Sequence, residues 1–294
     1  MGIIDGIKDK YVDYQLNKID QLEMSINKGE GLEASLISPK KLMPDKLEIT
    51  IKTLPKQLSI AKNMEHTVKS LKNNPKDAKF VADNGFFIKF EEVAHSLGVD
   101  KVGYATVNPE MIFQDRSIQF PYAMILIMEM DQNAMDNAPS PQTQEMGVIT
   151  YDHLGKITNE LAQFIRKEGF GAQASHPAGG FVVYPPLAQK AGLGFIGRHG
   201  LLITPEFGPR QRISAIFTSI QNLPVPDYSP LDTLDFCSRC GKCVKICPGN
   251  AIVEETLPSG EKRAKILGDN CHGCTICMRD CSFKKREYFQ LAGK

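Results

Sequence analysis

All eight cysteines of this 294-residue chain fall between Cys237 and Cys281. They form two consecutive C-x2-C-x2-C-x3-C runs. The first is Cys237, Cys240, Cys243 and Cys247, followed by Pro248; the second is Cys271, Cys274, Cys277 and Cys281, followed by Ser282. Thiolates at i, i+3 and i+6 can converge from one tight loop onto three corners of an iron–sulfur cubane. The fourth cysteine lies too far along the chain to close the same corner and reaches across to the other cluster. The spacing therefore assigns Cys237, Cys240, Cys243 and Cys281 to one [4Fe–4S] cluster, and Cys271, Cys274, Cys277 and Cys247 to a second. C-x2-C pairs also bind structural zinc, but two complete four-cysteine runs are much more specific to iron–sulfur. A disulfide framework would hardly leave the preceding 236 residues unstapled, so the thiols point to metal in a reducing compartment. Gly241 and Gly273 sit between cysteines, where a backbone wrapped around a cluster favours a missing side chain. Two clusters in one small module make a wire, and what the wire feeds has to lie before it.

The elements ahead of the cysteines divide the chain into three parts. Residues 1–83 read as a Lys-rich helical extension, with Ile4, Ile7, Tyr11 and Tyr14 at helical spacing, a break at Gly29 and Gly31, and a second periodic stretch over 55–72. Residues 84–226 alternate between helices and strands. Phe90–Leu97 is expected as helix, Asp100–Ala105 as a short strand and Tyr122–Met130 as a buried strand. The stretch 133–144 is expected as a loop because of Pro139 and Pro141, followed by a helix over Lys156–Lys167 and strands at Leu201–Ile203 and Ile213–Ile220. Mixed elements of this kind indicate an α/β or α+β core. Pro224, Pro226 and Pro230 mark a linker into the cysteine module, 227–294. A net charge of +1 argues against a dedicated nucleic-acid surface. The longest apolar run, Ala123–Met128, is far too short to span a bilayer. The opening MGIIDGIKDK has the pattern of neither a secretion signal nor a twin-arginine leader, and Gly6 stands where a myristoylation motif needs Ser or Thr. The expectation is a cytoplasmic protein.

Gly192-Leu-Gly194-Phe-Ile-Gly197 matches G-x-G-x-x-G literally, but a dinucleotide fingerprint needs a strand before it and a helix after it. Here a helical PPLAQKA precedes and the strand LLITP follows, so these glycines are read as letting a backbone approach something flat or bulky. The segment AGLGFIGRHGLLITPEFGPRQRISAIFTSI, 191–220, resembles the core signature of corrinoid-dependent reductive dehalogenases and, more distantly, that of epoxyqueuosine reductases. GVDKVGYA at 98–105, PYAMILIMEMD at 121–131, the NAPSP segment at 137–141, Tyr151 with LAQFIRKEGFGA at 161–172, and FCSRCGKCVKICPGNAI at 236–252 agree in the same order. The resemblance covers roughly residues 90–282.

The resemblance implies an α+β fold: a nitroreductase-like cofactor domain holding base-off cobalamin, followed by a ferredoxin-like double-cluster module. Electrons pass through the two clusters to cobalt, which reduces a small organic substrate. It implies an electron-donor protein such as ferredoxin or flavodoxin and an anaerobic host; the near-neutral charge argues against a nucleic-acid partner. By position, Tyr151 resembles the family's proton-donating tyrosine and Arg198 the basic residue beside it; a nearby guanidinium stabilises a phenolate. The plain alternatives are a helix-capping core tyrosine and an Arg198–Glu206 ion pair. Gly192, Gly194, Gly197, His199, Arg210 and Arg212 are candidate cofactor contacts. His199 as a satisfied structural histidine, and Arg210 and Arg212 as a solvated basic loop, stay open beside that. No D-x-H-x-x-G corrinoid motif is present, since Asp152-His153 is followed by Leu154-Gly155. An acid expected before the glycine motif in epoxyqueuosine reductases is absent from Val182-Val183-Tyr184-Pro185-Pro186. Two other functions remain in play: a cobalamin-free electron-transfer protein that donates to a partner such as a corrinoid protein, and a flavin-dependent reductase.

Overall fold

The computed structural model describes residues 27–31, 46–114, 116–227, 234–256 and 262–284. The helix expected around Ile4–Tyr14 lies outside them. Its central sheet has four strands: β1 (Lys101–Thr106), β2 (Tyr122–Glu129), β3 (Ala172–Ser175) and β4 (Gln211–Thr218). They run in the order β1-β2-β4-β3, and every neighbouring pair is antiparallel. That arrangement makes the domain α+β.

The apolar run of β2 is explained by burial on both faces. Met124, Leu126 and Met128 point to one apolar layer and Ala123, Ile125 and Ile127 to the other, as the period of a strand requires. The first layer is closed by helices α2 (Asn84–Ser96) and α3 (Pro141–Lys167), through Phe86, Phe90, Leu154, Leu161 and Ile165. The second is closed by α4 (Tyr184–Lys190), through Leu187 and Ala188, with Phe181 and Val182 before it.

One element differs from the sequence reading. The stretch 133–144 is not a loop: it holds a short helix, Gln132–Asp136, and the first turn of α3. Ser140 caps α3 by accepting from the Thr143 N–H at 3.1 Å, and Pro141 occupies the first helical position, where its missing N–H costs nothing. The two prolines are thus, in part, a helix-start signal. The N-terminal helix packs on the main domain, as amphipathic periodicity there leads one to expect. Helix α1 (Lys46–Lys69) runs through Pro55 and packs along α3, and Val68 and Leu71 belong to the second apolar layer. Buried Arg166 fastens its far end by donating to Asn74 Oδ1 at 3.0 Å, Ser70 Oγ at 3.1 Å and the Ala172 carbonyl at 2.9 Å. Buried Asp152 holds the middle, with Lys156 Nζ at 2.8 Å and Lys56 Nζ at 3.4 Å. No helix among the described residues is long and apolar enough to cross a membrane.

Candidate functional site: paired cysteine recesses and a tyrosine–arginine face

The first cysteine run sits on two short helices, Leu234–Cys240 and Lys242–Ile246, hinged at Gly241, whose φ is +57°. The second run repeats this hinge at Thr275, φ +58°, just before the helix Ile276–Arg279. The left-handed residue follows the second cysteine in both runs, so Thr275 rather than Gly273 is the counterpart of Gly241. A β-branched residue there carries backbone strain of about 1 kcal/mol or more. The ladder between the runs is the hairpin Ile252–Thr256 with Lys262–Ile266.

Cys237, Cys240, Cys243 and Cys281 line one recess of about 290 Å³ together with Arg198, His199 and Phe283. Cys281, from the second run, has therefore crossed to the first. Cys277 in turn has Cys274, Cys271 and Cys247 among its close charge neighbours, together with Cys243. Burial first, and then neighbouring thiols, push the Cys243 thiol to about 11 and those of Cys277 and Cys281 to about 12. Such thiols ionise when a metal displaces their protons. A recess walled by four sulfurs fits a polynuclear cluster. His199 adds a second sign of fit: its Nε2 is buried without a protein partner while its Nδ1 accepts from the Leu201 N–H at 3.2 Å. Burial also lowers the pKa of this imidazole to about 4.

The 192–212 segment is the socket of the module. Gly192, at φ +71°, ends α4 by donating to the Gln189 carbonyl at 2.9 Å. A Cβ on Gly194 would lie 2.2 Å from the Ile203 carbonyl oxygen, so the bulky object this backbone approaches is the strand Leu202–Ile203. A Cβ on Gly197 would lie 2.8 Å from His199 Cε1. Phe195 meets Phe283 edge-on at 5.2 Å, and Phe236 does the same at 5.4 Å. The Gly192, Gly194 and Gly197 positions thus have structural work without a cofactor. Arg198 bonds the Ser238 carbonyl at 2.6 Å and pairs with Glu254, both in the cysteine module. The expected partner Glu206 is instead bonded by Lys101 at 2.5 Å. Arg210 pairs with Glu129 and donates to the Met130 carbonyl at 3.0 Å.

The expected pairing of Tyr151 with Arg198 is corrected by these contacts, because the guanidinium on Tyr151 belongs to Arg212. Arg212 Nη1 donates to Tyr151 Oη at 2.9 Å, and the guanidinium carbon lies 4.0 Å from the ring centroid. Arg212 Nε is buried with no protein partner. Strand β4 and helix α3 bring the two together across Gly147, where a Cβ would meet Arg212 Nη2 at 3.2 Å. One turn beyond Tyr151, Gly155 makes room for His176, whose Nε2 would lie 2.0 Å from a Cβ there. Tyr184 Oη, donating to the Ser175 or His176 carbonyl at 2.9 and 2.8 Å, stands near enough to Tyr151 to feel its charge. Burial pushes the Tyr184 phenol well above its ordinary range. His176 and Tyr184 were missed in the sequence, although Gly147-x3-Tyr151-x3-Gly155 spells out an open stripe on one helical face.

The stripe touches the module. Met146, next to Gly147, packs with Leu201 and Cys277 against the buried cluster of Met130, Met135 and Met278. Arg279 bonds the Ala138 carbonyl and Lys284 pairs with Asp136 at 3.4 Å across the same seam.

The class these features define is an α+β domain wired to a ferredoxin-type dicluster module. Residues 236–285 match the 4Fe-4S dicluster domain model. The chain is 28% identical over 215 residues to a tetrachloroethene reductive dehalogenase of Desulfitobacterium hafniense, covering 65% of this chain and 38% of that one. It is 25% identical over 252 residues to the epoxyqueuosine reductase of Bacillus subtilis, covering 68% and 64%. Among solved structures, the catabolic reductive dehalogenase NpRdhA in complex with 3-bromo-4-hydroxybenzoic acid superposes with a TM-score of 0.63 at 19% identity, over 93% of this chain and 47% of that one. These relatives are reductases, and the chain spans well under half the length of the matched dehalogenase.

Proposed function

We propose that this chain is an iron–sulfur reductase in which two [4Fe–4S] clusters, held by the cysteine sets above, deliver electrons to a corrinoid bound beside Tyr151. The nitroreductase-like description of its α+β domain and a place in the reducing interior of an anaerobe, with a ferredoxin or flavodoxin as donor, belong to the same reading. The observation that carries it is the Tyr151–Arg212 hydrogen bond, on the same helix as Met146, which lies five residues earlier and packs in the cluster that contains Cys277. A bound corrinoid would supply a strongly reducing cobalt centre in contact with substrate.

The chain's own residues handle the proton. Replacing a halide by hydrogen consumes two electrons and one proton and releases the halide ion. Tyr151 Oη supplies the proton, and Arg212 holds that oxygen in place and offsets the negative charge left on it. Tyr184 and His176 close the inner end of the face. Neither the cysteine recess nor a second one, lined by Gln132, Arg210, Met278 and Arg279, includes Tyr151 or Arg212, so a corrinoid would lie outside both, against the Tyr151 face. That same observation favours a second reading, an electron carrier serving a separate corrinoid protein.

The test is bromide release from 3-bromo-4-hydroxybenzoic acid by corrinoid-loaded protein under titanium(III) reduction. Turnover that falls by about 10²–10⁴-fold in Tyr151→Phe, with corrinoid binding intact, supports the proposal. Turnover unaffected by that change, or none in a protein with both clusters and corrinoid bound, overturns it.

A further inference from the structure

We propose that His199 is a hydrogen-bond donor to the cluster held by Cys237, Cys240, Cys243 and Cys281, and that it sets this cluster's reduction potential above that of the same cluster without the bond. The inference rests on the assignment of a [4Fe–4S] cluster to that recess.

Three observations converge. His199 lines the recess beside all four of these cysteines. It is 6% exposed, and its Nε2 has no protein partner. The Leu201 N–H donates to Nδ1 at 3.2 Å, which fixes the tautomer: Nδ1 is the acceptor, so the ring proton sits on Nε2. A buried N–H without an acceptor is rare and costly in a native fold. The thiols around it are beyond hydrogen-bond reach, so the acceptor this donor faces is the sulfur of whatever occupies the recess. Gly197 is part of the device. A side chain there would sit 2.8 Å from His199 Cε1, so the glycine lets the ring turn inward.

The consequence follows from charge. Reduction adds one electron to the cluster, breaks no bond and moves no proton; the donor protein loses that electron. The added charge spreads onto the cluster sulfurs and makes them better acceptors, so an N–H donor stabilises the reduced form more than the oxidised one. Removing the donor should therefore shift the reduced-to-oxidised ratio about tenfold toward oxidised, which is about 59 mV for a one-electron couple. The second cluster's cysteines do not line the recess that His199 enters, so that cluster should hold its potential. His199 is in this sense a positioning and tuning residue, with no contact to substrate.

The experiment uses the full chain, purified without oxygen and labelled with ¹⁵N-histidine. Iron analysis first establishes two clusters per chain; iron falling short of that in the wild type would defeat the cluster assignment itself, separately from the role of His199. Pulsed EPR of the reduced wild type should show a weak ¹⁵N coupling that survives His272→Gln, the control for the histidine between Cys271 and Cys274. EPR-monitored redox titration of His199→Leu should show one potential lowered about tenfold in equilibrium terms and the other unmoved. His199→Gln, which keeps an N–H donor, should recover part of the shift. Absence of the coupling in the wild type overturns the proposal, as does an unchanged or raised potential in His199→Leu. Because the coupling is read on the wild type, a variant that fails to fold leaves the proposal open to refutation.

Discussion

Gly155→Ala puts the packing of the Tyr151 face to a direct test. Replacing a helix-interior glycine with alanine ordinarily stabilises a helix by about 1 kcal/mol. At Gly155 the new Cβ would fall 2.0 Å from His176 Nε2 and 2.4 Å from Cδ2. His176 is 2% exposed, and its Nδ1 accepts the Ala178 N–H at 3.0 Å, so the ring cannot swing aside without losing that bond. Overpacking costs about 1–3 kcal/mol and the broken hydrogen bond about 1 kcal/mol more. Against the helix gain, the net expectation is a loss of about 1–3 kcal/mol. Gly147→Ala is the matched control, since its Cβ would meet only the far end of Arg212 at 3.2 Å; it should be neutral or slightly stabilising. The chain has no tryptophan, so the assay is thermal unfolding of anaerobic holoprotein by far-ultraviolet circular dichroism. Cluster loss makes unfolding irreversible, and the readout is the apparent midpoint at a fixed scan rate. A Gly155→Ala protein that unfolds at or above the wild-type temperature would refute the packing described here.

Further outcomes follow from other parts of the molecule. Cys281→Ala should remove the EPR signature of the cluster held by Cys237, Cys240 and Cys243 and spare its neighbour, and Cys247→Ala should do the converse; loss confined to the mutated run would show that the ligands do not cross. Asp152 is pushed up by burial but held below its ordinary 3.8 overall by hydrogen bonds from Lys156, Ser59 and Lys56. A depressed carboxyl contributes stability that is full above the unfolded-state pKa and lost as pH falls through the folded one. Unfolding midpoints should thus drop below about pH 4 in the wild type, and Asp152→Asn should flatten that drop while costing about 1–2 kcal/mol at neutral pH, discounted because both lysines are about half exposed. Arg212→Leu should slow proton-coupled turnover while Arg198→Leu leaves it and instead loosens the cysteine module, detected as faster iron release to a chelator.

Much of this was legible from residue spacing. The meeting of Cys281 with Cys237, Cys240 and Cys243 at one recess was readable, because three thiolates spaced i, i+3 and i+6 can converge from one loop and leave the fourth corner to a cysteine from elsewhere. The buried strand Tyr122–Glu129 was readable because a strand covered on both faces must be apolar throughout. Partner choice at Tyr151 was not readable. Arg198 and Arg212 differ by fourteen positions, and which one reaches the tyrosine depends on the strand register that pairs Met128 with Arg212. His176 and Tyr184 were hidden for the same reason: only the sheet brings the end of Ala172–Ser175 under α3. Gly194 and Gly197 are close-approach positions, but the object approached is the chain's own strand and histidine, while Gly192 serves a positive φ.

The central claim is that the dicluster wire ends at a corrinoid on this same chain. Iron and cobalt analysis of anaerobic protein, saturated with cobalamin and freed of excess by gel filtration, tests it most directly. The account predicts two four-iron clusters and one cobalt per chain. Two clusters with no retained cobalt would contradict it and leave the chain as an electron carrier.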